Sequence, residues 1–180
     1  MSVQRIISPE YQNMLEALHT NNADWGTSGQ AHRNKIISLI DAHDFKSVLD
    51  FGCGKGYLVD SLRSHYNDKV NISGYDPCVD LYAHNFYLGA ELVTCTDVLE
   101  HVEPDKIDNV LREIGLRGTK MFYFVISLVP ARQMLPDGRN AHLIIESTHW
   151  WFEKLYEHFP LVFMSDATTT KEAIFICQME

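Results

Sequence analysis

The run Ser47-Val48-Leu49-Asp50-Phe51 passes directly into Gly52-Cys53-Gly54-Lys55-Gly56, then into a helical pattern over 57–66 that carries Leu58 and Leu62 on one face. A buried strand that ends in alternate glycines and turns straight into a helix confines the chain to a β-turn-α plan. The glycines permit dihedrals and close backbone approaches that other residues resist, beside a helix N-terminus open to a ligand.

The rest of the chain repeats the alternation. VNISGYD (70–76) and ELVTCT (91–96) read as strands with a short helix near 78–88 between them. Pro104 suits the first turn of the next helix, whose apolar face is Ile107, Val110, Leu111 and Ile114. TKMFYFVIS (119–127) is the strongest strand; a loop with Pro130, Pro136 and Gly138 follows, and then Ser147 as N-cap of a helix over about 148–158. Upstream, 9–19 and 30–43 read as helices, the second with Ile36, Ile37 and Ile40 on one face, joined by the polar loop HTNNADWGTSGQ. LVFMS and AIFICQM are separated only by DATTTKE, too short for a parallel crossover, so the chain should end in an antiparallel hairpin. The expected fold is α/β, a doubly wound, mostly parallel sheet with its ligand site outside the carboxyl ends of the strands.

Composition narrows the class. With 46% hydrophobic and 22% charged residues in 180, the chain is neither disordered nor collagen-like and suits one domain. The balance of 15 Lys+Arg against 24 Asp+Glu, a net charge of −9, argues against broad phosphate-backbone binding. No apolar stretch approaches the roughly 18 residues of a membrane helix, and the start lacks a signal-peptide core, so a cytoplasmic protein without membrane contact is expected. Cys53, Cys78, Cys95 and Cys177 are scattered without a C-x-x-C pair and read as reduced thiols.

The glycine loop is not a dinucleotide fingerprint, because Tyr57 stands where the third glycine would fall and Asp50 precedes the loop, awkward beside a pyrophosphate. The D-x-G-x-G-x-G run at 50–56, Gly74-Tyr75-Asp76 ending the next strand, and DVLEHV (97–102) after a later one resemble the class I S-adenosylmethionine-dependent methyltransferases, clearly over about 45–127. The resemblance implies that Gly52, Cys53, Gly54 and Gly56 bed the methionine and ribose part of the cofactor. It also places Asp50 near the amino group and Asp76 on the ribose hydroxyls. Carboxylates suit a cofactor bearing ammonium and sulfonium charges. Only some fifteen residues separate Asp76 from Thr94. The family's usual third strand should therefore be missing, and the adenine pocket improvised from Pro77, Cys78, Thr96 and their neighbours, with Asp97 also counted among the cofactor contacts. On this plan residues 1–180 form one methyltransferase domain, with 1–45 as N-terminal helices and a cofactor-covering loop and 46–180 as the Rossmann-like core.

Asp97, Glu100 and His101 would share one side of a helix starting at Asp97, with His142 as a fourth candidate ligand for Mg2+, Mn2+ or Zn2+. That pattern is similar to the metal-dependent 2′-O-methyltransferases of small RNAs and to quinone-biosynthesis O-methyltransferases. Three readings stand side by side: a metal set, a metal-free His101 that takes the acceptor's proton or contacts the substrate, with Glu100 as a further catalytic candidate, and a structural role.

Trp25 would either cover the cofactor's sulfonium or anchor the N-terminal helices. Cys53, Cys78 and Cys95 would line one cleft or act as small fillers. Arg139, Asn140 and His142 are the candidate acceptor contacts, against an ordinary surface turn, and Lys55 either touches an anionic ligand or is merely exposed. Trp150 and Trp151 cannot face the same way.

The expected function is methyl transfer from S-adenosylmethionine to an oxygen or nitrogen of a small-molecule acceptor. No D/N-P-P-Y or Pro-Cys motif follows DVLEHV, which disfavours DNA amine and ring-carbon methylation. The alternatives are metal-dependent ribose 2′-O-methylation of RNA and a non-catalytic cofactor-binding or partner module with the same fold.

Overall fold

A computed structural model describes residues 5–85, 87–166 and 171–179. Its strands are β1 (Ser47–Phe51), β2 (Asn71–Tyr75), β3 (Ala90–Thr96), β4 (Gly118–Ser127), β5 (Leu161–Asp166) and β6 (Glu172–Gln178). The helices are α1 (Pro9–Asn21), α2 (Arg33–His43), α3 (Tyr57–Tyr66), α4 (Asp80–Ala83), α5 (Ile107–Arg117) and α6 (Thr148–Tyr156). The six strands run in the order β2-β1-β3-β4-β6-β5. β1 to β4 are parallel, whereas β6 pairs antiparallel with both β4 and β5. The hairpin expected at the C-terminus is therefore present, although its connecting residues 167–170 lie outside the described residues.

Every residue of β1 is buried because helices cover both faces of the sheet, and successive side chains divide between two cores. Leu49, Val93, Phe122 and Phe124 meet Leu111 and Ile114 of α5 and Trp151 and Leu155 of α6. Val48, Leu92, Tyr123 and Val125 meet Ile36 and Ile40 of α2 and Leu58 and Leu62 of α3. A third cluster joins Tyr11 and Leu18 of α1 to Leu135 and Ala141 in the loop after β4. Trp151 is fully buried while its neighbour Trp150 packs at the core's margin, as their adjacent positions require.

Among the described residues the sheet ends at β2, with no strand beyond it. The edge is not left bare: Arg63 Nε donates to the Ile72 carbonyl at 3.0 Å and Asn85 Nδ2 to that of Gly74 at 2.6 Å. Side-chain donors of this kind blunt an edge against pairing with another chain.

Three local expectations are corrected. The helix expected over 78–88 is the single turn α4, because the Asn85 side chain instead bonds the Gly74 carbonyl and accepts from the Tyr87 amide, competing with helical bonding; Phe86 lies outside the described residues. Pro104 precedes α5 rather than entering it, in a turn closed by Lys106 N–H on the Glu103 carbonyl at 2.8 Å. The segment from Asp97 is not a helix either. Asp97 takes a left-handed φ of 53°, and a short 3-10 turn covers Leu99–His101. Ser8 and Ser147 cap α1 and α6 through their hydroxyls, and only the second cap was expected.

Candidate active site

The strand order reverses between β2-β1 and β3-β4, which opens a crevice at the carboxyl ends of these strands. A cavity of about 650 Å³ lies there. Gly52, Gly54, Asp76 and Pro77 border it from one side, Asp97, His101 and His142 from the other, and Trp25 reaches in from the N-terminal loop. Its volume falls in the range of small-molecule pockets.

The glycine loop is built by long-range bonds. The amides of Gly52 and Cys53 both donate to the Tyr75 carbonyl, at 2.7 and 3.0 Å. Asp76 then accepts from the Gly54 amide on Oδ2 and from the Cys78 amide on Oδ1, each at 2.9 Å. Gly52, Gly54 and Gly56 have φ values of 77°, 52° and 77°. At Gly54 the requirement is double, since a Cβ there would also stand 2.5 Å from the Gly26 carbonyl oxygen. The N-terminal loop is thus pressed onto the glycine loop, and Lys55 fixes it. The Lys55 amide donates to the Gly26 carbonyl at 3.2 Å, and Nζ to those of Asn22 and Ala23 at 2.7 and 2.8 Å. Lys55 is therefore engaged as a clamp, neither free nor turned to a ligand.

Asp50, Cys53 and Thr96 border a smaller cleft beneath residues 26–29. Asp50 is buried and accepts from the Thr94 hydroxyl at 2.7 Å; burial pushes its carboxyl up to about 7. Gly56 lines neither space, because the Tyr82 side chain packs where its Cβ would stand. The shared-cleft expectation for the cysteines fails. Only Cys78 borders the main cavity, Cys95 is fully buried in the α5–α6 core, and burial pushes all three thiols up, away from the reactive thiolate.

Glu100, His101 and His142 come together, with one ligand atom from each within 4.8 Å of the others. Asp97 is not among them, since its left-handed backbone and the 3-10 turn replace the helix that would have stacked the three. Glu100 is fully buried; Oε1 accepts from the Ser127 amide at 2.9 Å while Oε2 has no partner. Burial, then the Asp97 charge, pushes its carboxyl up to about 8. His101 Nδ1 meets the Ala141 carbonyl at 2.7 Å and His142 Nδ1 that of Val129 at 2.5 Å. A carbonyl only accepts, so Nδ1 is the donor in each ring, and in the neutral imidazole Nε2 is then the acceptor. Burial drives the His101 pKa down to about 4. The rings stand edge-on with centroids 4.7 Å apart, and Trp25 meets His101 edge-on at 5.0 Å.

The acceptor candidates divide. His142 borders the cavity, whereas Arg139 and Asn140 do not. Arg139 Nε donates to the Asp137 carboxylate at 2.7 Å. Asn140 bridges its own loop: Oδ1 accepts from the amides of Ala131 and His142, at 2.9 and 3.0 Å, and so orients His142. Tyr11, Gln12, His19 and Glu103 escaped the sequence reading. Glu103 takes both the amide and the hydroxyl of Ser8, and the Tyr11 hydroxyl donates to the His101 carbonyl at 2.6 Å, contacts between residues about ninety apart with no local signature.

A profile of the family described as methyltransferase domain matches residues 31–168. Among curated proteins none matches the chain. Magnesium protoporphyrin IX methyltransferase from Synechocystis, solved with S-adenosylmethionine, superposes with TM-score 0.64 at 11% identity, covering 96% of this chain and 99% of that one. A Nostoc punctiforme protein assigned as an O-methyltransferase gives 0.58 at 12% identity, covering 81% of this chain and 55% of the longer protein. The small RNA methyltransferase HEN1 gives 0.60 at 16% identity, over 84% of this chain and 25% of HEN1. At such identities the likeness is one of fold.

Proposed function

The chain belongs to the methyltransferase-domain family, and from that premise we propose that it moves a methyl group from S-adenosylmethionine to an oxygen of a small-molecule acceptor, with a divalent ion held by Glu100, His101 and His142. The observation that carries this reading is one cavity bordered on one side by Gly54 and Asp76 and on the other by His101 and His142. It gives a sulfonium donor and a hydroxyl acceptor a common enclosure.

In this reading the carboxylates of Asp50 and Asp76 take the cofactor's ammonium and ribose, and Gly52 and Gly54 let it lie against the backbone. Trp25 covers the sulfonium with an aromatic face and, with the clamped loop, excludes water. S-adenosylmethionine supplies the electrophilic methyl carbon. The chain's task is then mainly alignment of the acceptor oxygen with that carbon, which by itself lowers the barrier substantially.

The residues fit a metal ion. Glu100 Oε2 is a buried oxygen with no partner, and two imidazoles with Nδ1 fixed on carbonyls keep Nε2 for an ion. Backbone carbonyls behind histidine ligands are the usual second support of metal sites. Such an ion, when bound, orients an acceptor hydroxyl and acidifies it. Asn140 holds His142 in place for this role.

The same donor set also supports a second reading, metal-dependent ribose 2′-O-methylation of RNA; the net charge of −9 favours the small acceptor. The test is transfer of a radiolabelled methyl from S-adenosylmethionine to a panel of hydroxylated small molecules and short RNAs, with manganese and after chelation. Manganese-dependent labelling of small molecules supports the proposal. Labelling of RNA alone supports the second reading, and full activity after chelation overturns the metal role.

A further inference from the structure

The loop after β4 continues the cavity wall beyond His142. Pro130, Ala131, Arg132 and Gln133 border the space there. Ile7, Val102 and Val110 border it as well, and Ile7 packs in one apolar cluster with Ala131. Into this wall the chain sets one strong cation: among the described residues that border the cavity, Arg132 is the single lysine or arginine.

The backbone that carries Arg132 is pinned on both sides. The Ala131 amide donates to Asn140 Oδ1 and its carbonyl accepts from Asn140 Nδ2, each at 2.9 Å, while the Gln133 carbonyl accepts from the Ala141 amide at 3.1 Å. Asn140 Oδ1 also takes the His142 amide, and His142 Nδ1 donates to the Val129 carbonyl. One side chain thus ties the Arg132 stretch to a donor of the proposed metal set. Arg132 lies three residues beyond Val129, a span of at most about 10 Å of chain, so a small acceptor with a hydroxyl near His142 has the guanidinium within reach of its other end.

That guanidinium is uncommitted. Arg132 is exposed and makes no hydrogen bond or ion pair with any described residue, whereas Arg139 in the same loop closes on Asp137. The nearest acids along the wall have other work. Glu103 gives one oxygen to the Ser8 amide and the other to its hydroxyl, and Asp76 gives one to each of two backbone amides. A guanidinium offers a planar fork of donors that a carboxylate or phosphate meets with two hydrogen bonds. Asp24, Asp76, Asp97 and Glu103 all border the cavity, and their field opposes a doubly charged phosphate more than a singly charged carboxylate. An apolar wall with a few placed polar groups is how a pocket orients a small ligand.

We propose that Arg132 binds a carboxylate on the methyl acceptor, so that the substrate class is a hydroxylated carboxylic acid whose apolar body lies against Ile7, Val102 and Val110. The proposal rests on the methyl-transfer reading given above.

The test is calorimetry of the full chain, loaded with S-adenosylhomocysteine and manganese, with 4-hydroxybenzoate, 4-hydroxyphenylacetate and 3-(4-hydroxyphenyl)propionate, each against its primary amide. At least one acid binds fivefold or more tighter than its amide. Arg132→Gln removes that preference, and Arg132→Lys, which keeps the charge without the fork, retains part of it. If no acid binds tighter than its amide, or if Arg132→Gln keeps the preference, the proposal is overturned. Tighter binding of 4-hydroxybenzylphosphonate than of any acid, lost in Arg132→Gln, overturns the carboxylate in favour of a phosphate group. A second measurement uses unaltered protein: the preferred acid slows modification of Arg132 by phenylglyoxal and its amide does not, and equal rates with both also overturn the proposal. Absence of S-adenosylhomocysteine binding by the wild-type chain overturns instead the cofactor reading, so the two failures are distinct.

Discussion

The Gly54 amide donates to Asp76 Oδ2 at 2.9 Å, joining the loop after β1 to the end of β2. One carboxylate thereby shapes the glycine loop and stands on the cavity wall. Asp76→Ala leaves the amides of Gly54 and Cys78 unpaired in a buried place, at about 1–3 kcal/mol of stability. It also weakens S-adenosylhomocysteine binding at least tenfold. Thermal melts and calorimetry on the same samples read the two effects.

Gly54→Ala is expected to do more damage than its single methyl suggests. The left-handed backbone costs an alanine about 1–2 kcal/mol, and the new Cβ presses on the Gly26 carbonyl oxygen. Residues 22–27 should lift away from the glycine loop, and hydrogen exchange there should rise while β4 stays protected. Unchanged exchange in that loop would show that the contact is not restraining it.

Asp50 makes stability depend on pH in a stated direction. Its carboxyl titrates at about 7 in the folded chain because of burial, against about 4 when unfolded. Between those values the folded state holds a proton that the unfolded state has released, so stability falls as pH rises from 4 to 7 and stays lowered above 7. Asp50→Asn should melt several degrees above wild type at pH 8, and at the same temperature near pH 4. It should also bind S-adenosylhomocysteine more weakly, since the ammonium loses its carboxylate. Equal melting temperatures at pH 8 would contradict the burial cost.

Manganese should raise the melting temperature of the wild-type chain, because an ion that binds only the folded state stabilises it. His142→Ala removes one donor on a half-buried loop and should abolish that rise while leaving the melt without metal nearly unchanged. Asn140→Ala, which frees the His142 loop, should reduce the rise without eliminating it. A rise undiminished in His142→Ala would exclude His142 as a ligand.

Much of this molecule was readable in the chain. SVLDF, TKMFYFVIS and the short C-terminal connection sufficed to expect buried parallel strands and an antiparallel end, since continuous apolar runs and loop length act locally. The short span between Asp76 and Thr94 foretold the sheet's early edge. What failed were elements decided at a single residue. Asn85 dissolved most of one helix, and Asp97's left-handed backbone replaced another with a 3-10 turn.

The donors Glu100, His101 and His142 were visible as residue types, but Asp97 joined them only on the assumption of a helix. Arg139 and Asn140 were visible too, yet one is spent on Asp137 and the other on its own loop. His19 carried no signal, because a histidine on an amphipathic helix announces nothing until the fold sets it on the wall of the cavity.

By itself, then, the sequence determined the strand-to-helix rhythm, the glycine loop and the acid that ends β2, because these rest on local periodicity and backbone freedom. Tertiary structure alone decided which side chains share the cavity. The contacts that press residues 22–27 onto the glycine loop and carry α1 across β2 join residues some thirty to ninety-five positions apart, where only packing of the whole chain brings them together.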